Sequence, residues 1–215
     1  YERLFQFSRC FRKGERGRHH NPEFTMLEWY RAGAGYTQVI HDTEQLTALL
    51  ASKLGLGPAI SYQGQRIDLT LPWPRVAVRD AFLRSAGWDA IADPDPLRFD
   101  TDLVDKVIPS FAPDRPVVLM DYPASMASMA RLKPAQPRVA QRAEVFVCGL
   151  ELANAYSELT DAQEQARRFE LESEQIRREQ GRSTPLPRRF LEAVGSLPEC
   201  GGIALGVDRL VMLFC

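Results

Sequence analysis

The chain has no apolar run near the ~20 residues that would cross a bilayer and no signal-peptide pattern, so neither a membrane span nor export is expected and a cytoplasmic location is. Basic excess is missing as well. Lys and Arg number 27 against 28 Asp and Glu, for a net charge of −1, which argues against an extended nucleic-acid surface. Cysteine is sparse: Cys10, Cys148, Cys200 and Cys215 lie far apart and form no CxxC pair, so neither structural zinc nor disulfides are expected. The three histidines, His19, His20 and His41, have no companion set for a metal. Repeats and low-complexity tracts are lacking too. No Met opens the chain, which begins in "YERLFQF" and stops inside the apolar "LVMLFC". Both ends read as cuts through secondary structure, so a fragment of a longer protein is expected.

What is there suits an ordinary globular domain. Hydrophobic residues make up 45% and charged ones 26%, and 215 residues suffice for one substantial core or two small ones. "RLFQFSRCF" alternates as a strand, Gly14 and Gly17 mark a loop, and "EFTMLEWYR" resumes the β pattern. Phe24 and Met26, with Trp29 or Tyr30, are expected on its packed side. "DTEQLTALLASKLGLG" reads as a helix capped by Asp42 or Thr43, with Leu46, Leu49, Leu50 and Leu54 as its stripe. Residues 58–116 are proline-rich and read as a connection or insert. Within them come a hairpin around Gly64, a helix in "VRDAFLRSAGW", and another in "DLVDKVIPSF" that ends near Pro109. "PVVLMDYP" reads as a buried strand and "AEVFVCGLELANAY" as a hairpin turning at Cys148-Gly149. A helix follows in 161–181, with Asp161-x-x-Glu164 as a capping-box pattern and Ala162, Ala166, Phe169 and Ile176 as its stripe. "LPRRFLEAVGSL" is a shorter helix, and "GGIALGVDRLVML" runs from strand into helix. Paired hairpins with helices between them imply an α+β fold around an antiparallel sheet, with 1–215 as one domain.

Three groups of residues carry chemistry. Glu144, Glu151, Asn154 and Glu158 read either as the wet face of a helix or as one face of a hairpin, and Val145, Val147 and Gly149 favour the hairpin. Glu151 then pairs opposite Phe146 and lies diagonal to Glu144. Two such carboxylates repel unless a cation separates them, and hard oxygen ligands suit Mg²⁺. Strict alternation turns Asn154 to the other face, unless a bulge among Ala153 to Ala155 brings it round. The second group is "FRKGERGRHH", in which seven of ten residues are Arg, Lys, Glu or His. Arg12, Lys13, Arg16 and Arg18, with amides freed by two glycines, make either a solvated hairpin tip or a polyphosphate grip. In the third, "GIALGVDRL", Gly206 admits a ligand close to the strand, and Arg209 within apolar sequence needs an anion.

In order and spacing, these stretches resemble the class II aminoacyl-tRNA synthetases over the whole chain. "FRKGERGRHHNPEFTMLEWY" is similar to motif 2, "GIALGVDRL" to motif 3, and "HNPEFTMLEWY" with "GLELANAYSELTDAQEQARRF" to the lysyl branch. "LEWYR", "ALGVDRLVML" and the short segment between the motifs resemble the truncated lysyl paralogues that modify elongation factor P. The resemblance implies the class II catalytic core without motif 1, which builds the family's dimer, so a homodimer is expected of the full-length protein. It implies ATP and Mg²⁺, an aminoacyl-adenylate, and lysine or (R)-β-lysine passed to elongation factor P. The alternatives are a lysyl-tRNA synthetase catalytic domain or a non-catalytic nucleotide-binding paralogue.

Carried over by residue, Arg12 holds the α-phosphate and the amino-acid carboxylate, and His20 approaches the outer phosphates. Phe24 stacks on adenine, Glu144 and Glu151 hold Mg²⁺, and Arg209 clamps the γ-phosphate. Asn154 helps place the carboxylate side of the substrate, while Glu158 and Tyr30 receive the ε-ammonium. Two positions depart from the family's pattern. Gly14 stands where a glutamate is usual, leaving Glu15 to recognise adenine from a shifted loop. Ala204 stands where lysyl-tRNA synthetases have glycine, and it reshapes the amino-acid pocket. That alanine and the lack of spare cations favour a protein acceptor over tRNA.

Overall fold

A computed structural model of the chain describes residues 1–17 and 19–215. Arg18, grouped above with the cationic loop, lies outside the described residues. The strands are β1 (Arg3–Phe11), β2 (Glu23–Ala32), β3 (Ala59–Tyr62), β4 (Gln65–Asp68), β5 (Arg75–Ala77), β6 (Val117–Pro123), β7 (Leu132–Lys133), β8 (Gln136–Val147), β9 (Leu150–Ser157) and β10 (Cys200–Gly206). The α-helices are α1 (Tyr36–Lys53), α2 (Val78–Ser85), α3 (Pro96–Asp102), α4 (Ala162–Gln180), α5 (Arg188–Val194) and α6 (Val207–Phe214). The main sheet runs β1-β2-β10-β9-β8-β6-β5, with β7 on β8 and β3-β4 as a separate hairpin. Among the described residues its ladder is antiparallel apart from β5 beside β6. This is the expected α+β architecture.

One sheet face is closed by α1 and α6. Val39, Ile40 and Ala51 of α1 and Leu213 of α6 share a core with Val145, Leu152, Ile203 and Leu205. Each large apolar side chain fully buried there contributes about 1.5–3 kcal/mol relative to exposure. A second cluster joins α2 and α3 to the β5 side of the sheet, where Phe82 stacks on Phe99 at 4.5 Å between ring centroids. Residues 58–116 thus supply an edge strand, part of the first core through Ile60, Ile67 and Trp73, and most of a second core shared with Leu119, Tyr122 and Phe146.

The first helix departs from its sequence pattern. It begins at Tyr36, six residues before the expected cap, because the Tyr36 amide donates to Ser157 Oγ at 3.0 Å and the Gly35 amide to Gln38 Oε1 at 2.9 Å. The face packed on the sheet runs through Tyr36, Val39, Ile40, Thr43, Thr47 and Ala51, and Leu49 and Leu54 are exposed. Thr43 and Thr47 tolerate burial because their hydroxyls donate back to Val39 O and Thr43 O. The stripe expected on α4 is also shallower than anticipated. Gln165 is its buried residue, and Ala162, Ala166, Phe169 and Ile176 are half-buried. Asp161 does cap α4, accepting from the Gln163 and Glu164 amides. The helix expected in "DLVDKVIPSF" is divided: α3 starts at Pro96 with Asp95 as cap, and a π turn and a 3-10 turn carry the chain through Pro109 to Ser110.

Candidate functional site

The alternation of β2 splits its side chains between two environments. Trp29 packs towards the α1–α6 layer, whereas Phe24, Met26, Glu28 and Tyr30 line a cavity of about 390 Å³ on the other face. Phe24 and Met26 are therefore cavity residues rather than core ones. The floor is a ladder across three strands. Gly202 of β10 stands between Tyr30 of β2 and Tyr156 of β9, and the next row is Glu28, Ala204 and Asn154.

β9 reaches that ladder through the expected hairpin. Cys148 and Gly149 adopt positive φ of 49° and 77°, the requirement of a two-residue turn that follows strand twist. Glu151 pairs with Phe146 as expected, but Val145 already pairs with Ala153. Leu152 is thus the extra residue of a bulge, one position before the segment expected to hold it. The bulge turns Asn154 to face Glu144, and Asn154 Nδ2 donates to Glu144 Oε1 at 3.3 Å.

At the inner end of the cavity Glu158 and Tyr30 meet over Gly202. A Cβ at position 202 would come within 2.1 Å of Glu158 Oε1 and 2.6 Å of Tyr30 Cε1, so only glycine leaves both side chains in place. Burial pushes the Glu158 carboxyl up to about 7. Burial first, then the charges of Glu158 and Glu28, raise the Tyr30 phenol to about 12. A poorly solvated carboxylate beside a phenol is a place for a cation with hydrogen-bond donors, such as an ammonium.

The outer end is built from the β1–β2 connection and the start of α6. The Arg12 guanidinium lies 5.2 Å from the Phe24 ring centroid and 3.5 Å from Glu15 Oε2. The Thr25 amide donates to Asp208 Oδ2 at 2.7 Å, tying the first turn of α6 to β2. That tie brings Arg209 beside the loop: its Nη1 donates to Glu151 O at 2.6 Å and its Nη2 to His20 Nε2 at 3.2 Å. Arg12, Glu15, His20, Phe24, Tyr30, Glu151, Asn154, Glu158, Ala204 and Arg209 all line the one cavity. Glu144 lies one strand behind it, buried and ion-paired with Arg142 at 2.6 Å. Burial, and then the nearby Glu144 charge, raise the Glu151 carboxyl above its ordinary value.

Among the described residues no three of His, Cys, Asp and Glu gather as a metal-binding group. Glu151 in the cavity wall and Glu144 one strand behind it are oxygen-donor carboxylates, a set that fits Mg²⁺ of the kind that takes its remaining ligands from phosphate and water. Glu28, Tyr156 and Gly202 escaped the sequence reading. Alternation from Phe24 to Tyr30 and from Asn154 to Glu158 held a signal for Glu28 and Tyr156, whereas Gly202 needs the cross-strand register.

A family model described as tRNA synthetases class II (D, K and N) matches residues 1–215. An elongation factor P–(R)-β-lysine ligase of Klebsiella pneumoniae is 41% identical over 98% of the chain and 66% of its own length. A protein of the same name from Vibrio atlanticus is 38% identical over 98% of the chain and 67% of its own length. A lysine–tRNA ligase of Dehalococcoides mccartyi is 34% identical over 99% of the chain and 47% of its own length. The chain thus spans about half the length of the lysine–tRNA ligases it matches.

Proposed function

We propose, since the chain belongs to the class II tRNA synthetase family of the D, K and N group, that it is the catalytic part of an ATP-dependent ligase for a lysine-type amino acid. The carrying observation is the inner end of the cavity, where Glu158 and Tyr30 offer a buried carboxylate and a phenol to an ammonium. An amino-acid carboxylate oxygen attacks the α-phosphorus of ATP, the bond to the bridging oxygen breaks, and pyrophosphate leaves. In this reading Arg12 holds the α-phosphate and the carboxylate together, Phe24 stacks on adenine beside Glu15, and His20 and Arg209 take the outer phosphates. Mg²⁺, held by Glu144 and Glu151, would neutralise phosphate charge. An acceptor amine then attacks the adenylate carbonyl, loses a proton, and releases AMP.

The acceptor in this reading is a lysine of elongation factor P, and the donor is (R)-β-lysine. Support comes from the ligase relatives of that name and from Ala204, whose methyl occupies the floor between Glu28 and Asn154. The full-length protein, given ATP, (R)-β-lysine and elongation factor P, should add one lysyl unit that intact mass detects. Efficient charging of tRNA with elongation factor P left unmodified would replace this reading by that of a lysine–tRNA ligase, the name carried by the relatives at 34% identity.

A further inference from the structure

The connection between β6 and β7 is irregular in conformation yet fastened at every step. Each carbonyl from Met126 to Ala130 accepts a hydrogen bond. Arg142 Nη1 donates to Met126 O at 2.6 Å, the Ala130 amide to Ala127 O at 2.8 Å, and the Leu159 amide to Met129 O at 3.0 Å. The other two, Ser128 O and Ala130 O, both accept from Arg168 Nη1 of α4 at 2.8 Å. Ser128 takes a positive φ of 51°, which a residue with a side chain seldom adopts. Ala127 and Ala130 are buried with Ala140, and Tyr156 packs against them. The Arg131 amide donates to Ser157 O at 2.8 Å, so residues 129–131 run beside 157–159 as a short extra strand, with Ala130 bridged to Glu158.

The residue this fastening presents is Met129, which is half-buried and lines the cavity together with Tyr30, Tyr156 and Glu158. Connections are ordinarily mobile because water competes for their backbone groups. Here the carbonyls on both sides of Met129 are taken by one guanidinium, itself held by Glu164 Oε1 at 2.9 Å and only 16% exposed. The main chain cannot retreat before a longer ligand without breaking those bonds, and their orphaned carbonyls would then need new partners. We infer that Met129 is a specificity-determining residue, an apolar stop beside Glu158 that bars amino acids reaching beyond lysine's ammonium, and that Arg168 is the positioning residue that holds it there. The same wall keeps water from Glu158, in accord with the burial that raises its carboxyl. The ligand-binding part of this inference rests on the lysine reading above.

The test uses the full-length protein with lysine and with Nε-methyl-lysine, which keeps the charge and adds one methyl. By calorimetry Met129→Ala should shift the affinity ratio towards Nε-methyl-lysine about tenfold, the worth of a methyl-sized change in a pocket, with ATP held within about twofold. Arg168→Gln should move the same ratio the same way by about threefold, the scale of a lost hydrogen bond. In a Met129→Ala background it should move the ratio no further. A ratio unchanged in Met129→Ala overturns the stop. Losses in Arg168→Gln that are equal for both amino acids and ATP, or a shift that persists without Met129, mean that Arg168 only supports the fold. Should these variants not fold, methyl signals decide. In wild type labelled with ¹³C-methyl methionine, and with Met129 assigned through Met129→Leu, lysine should shift the Met129 signal more than ATP does. In ligand-free Arg168→Lys, which lacks the planar fork, that signal should be displaced. A Met129 signal indifferent to lysine, or identical to wild type in Arg168→Lys, overturns the inference. If the wild-type protein binds neither amino acid, the proposed function fails, and the ligand-free methyl signal alone decides whether Arg168 positions Met129.

Discussion

The two ends of the cavity are built differently. The inner end is sheet: Tyr30, Gly202, Ala204, Asn154 and Glu158 follow from register across β2, β10 and β9, with Glu158 continuing past the end of β9. The outer end is connection and helix start, with Arg12 and Glu15 side chains about half exposed at 56% and 46%. Burial at the inner end moves Glu158 and Tyr30 well away from their ordinary pKa values, so one charge there selects strongly. In the proposed function, the outer end has several cations sharing a polyanion in reach of water, where each is worth less and salt weakens it. The proposed function thus concentrates selectivity where the backbone is most constrained, and general anion binding where it is least.

The sharpest break of this contrast is Glu158→Gln. It should weaken lysine or β-lysine by about 100-fold or more, because the ammonium then enters a buried site without its counter-charge, and leave ATP within about threefold. Calorimetry with each ligand checks this, and equal losses would erase the distinction between the two ends. Next comes Ala204→Gly, which removes one methyl from the floor between Glu28 and Asn154. Preference should shift towards α-lysine by roughly tenfold, the usual worth of a methyl-sized change in a pocket, as read from the ratio of kcat/KM for the two isomers.

A pH effect should follow from Glu158, whose carboxyl rises from 4.5 to about 7 on burial. The ammonium binds the ionised form, so affinity for lysine should fall about tenfold from pH 8 to pH 6, and the fall should vanish in Glu158→Gln. The stability sign is the opposite: the folded chain holds this proton more tightly, so the group's favourable contribution is full below about 4.5 and is lost as pH rises through about 7. Thermal unfolding of the ligand-free chain across that window reads it. The smallest effect is ionic strength. Raising salt from about 0.05 to about 0.5 M should weaken ATP a few-fold, because exposed cations are screened over about 10 Å or less, and should weaken lysine by less.

Much of this protein was legible before folding. Alternation gave β1 and β2, a short apolar run gave β6, the pair Cys148-Gly149 gave the hairpin, and Asp161 gave the cap of α4. All of these depend on neighbours in the chain, where local periodicity and turn chemistry act. The grouping of Arg12, Glu151 and Arg209 was legible only through family resemblance, since 139 residues separate the first two (from 12 to 151) and no local pattern links them.

Other features were decided by tertiary structure alone. The start of α1 is set by Ser157, 121 residues away, and the face it buries is set by its packing on the sheet, not by its leucines. The bulge at Leu152 depends on how β8 and β9 settle against each other, and one residue of slip decides whether Asn154 faces Glu144 or the opposite layer. Gly202 needs no side chain because Tyr30 of β2 and Glu158, just past the end of β9, converge over it. The physical reason is common to all three: sequence specifies which face a residue takes relative to its neighbours, whereas the distance between strands and the solvent left around a carboxylate exist only once the sheet has closed.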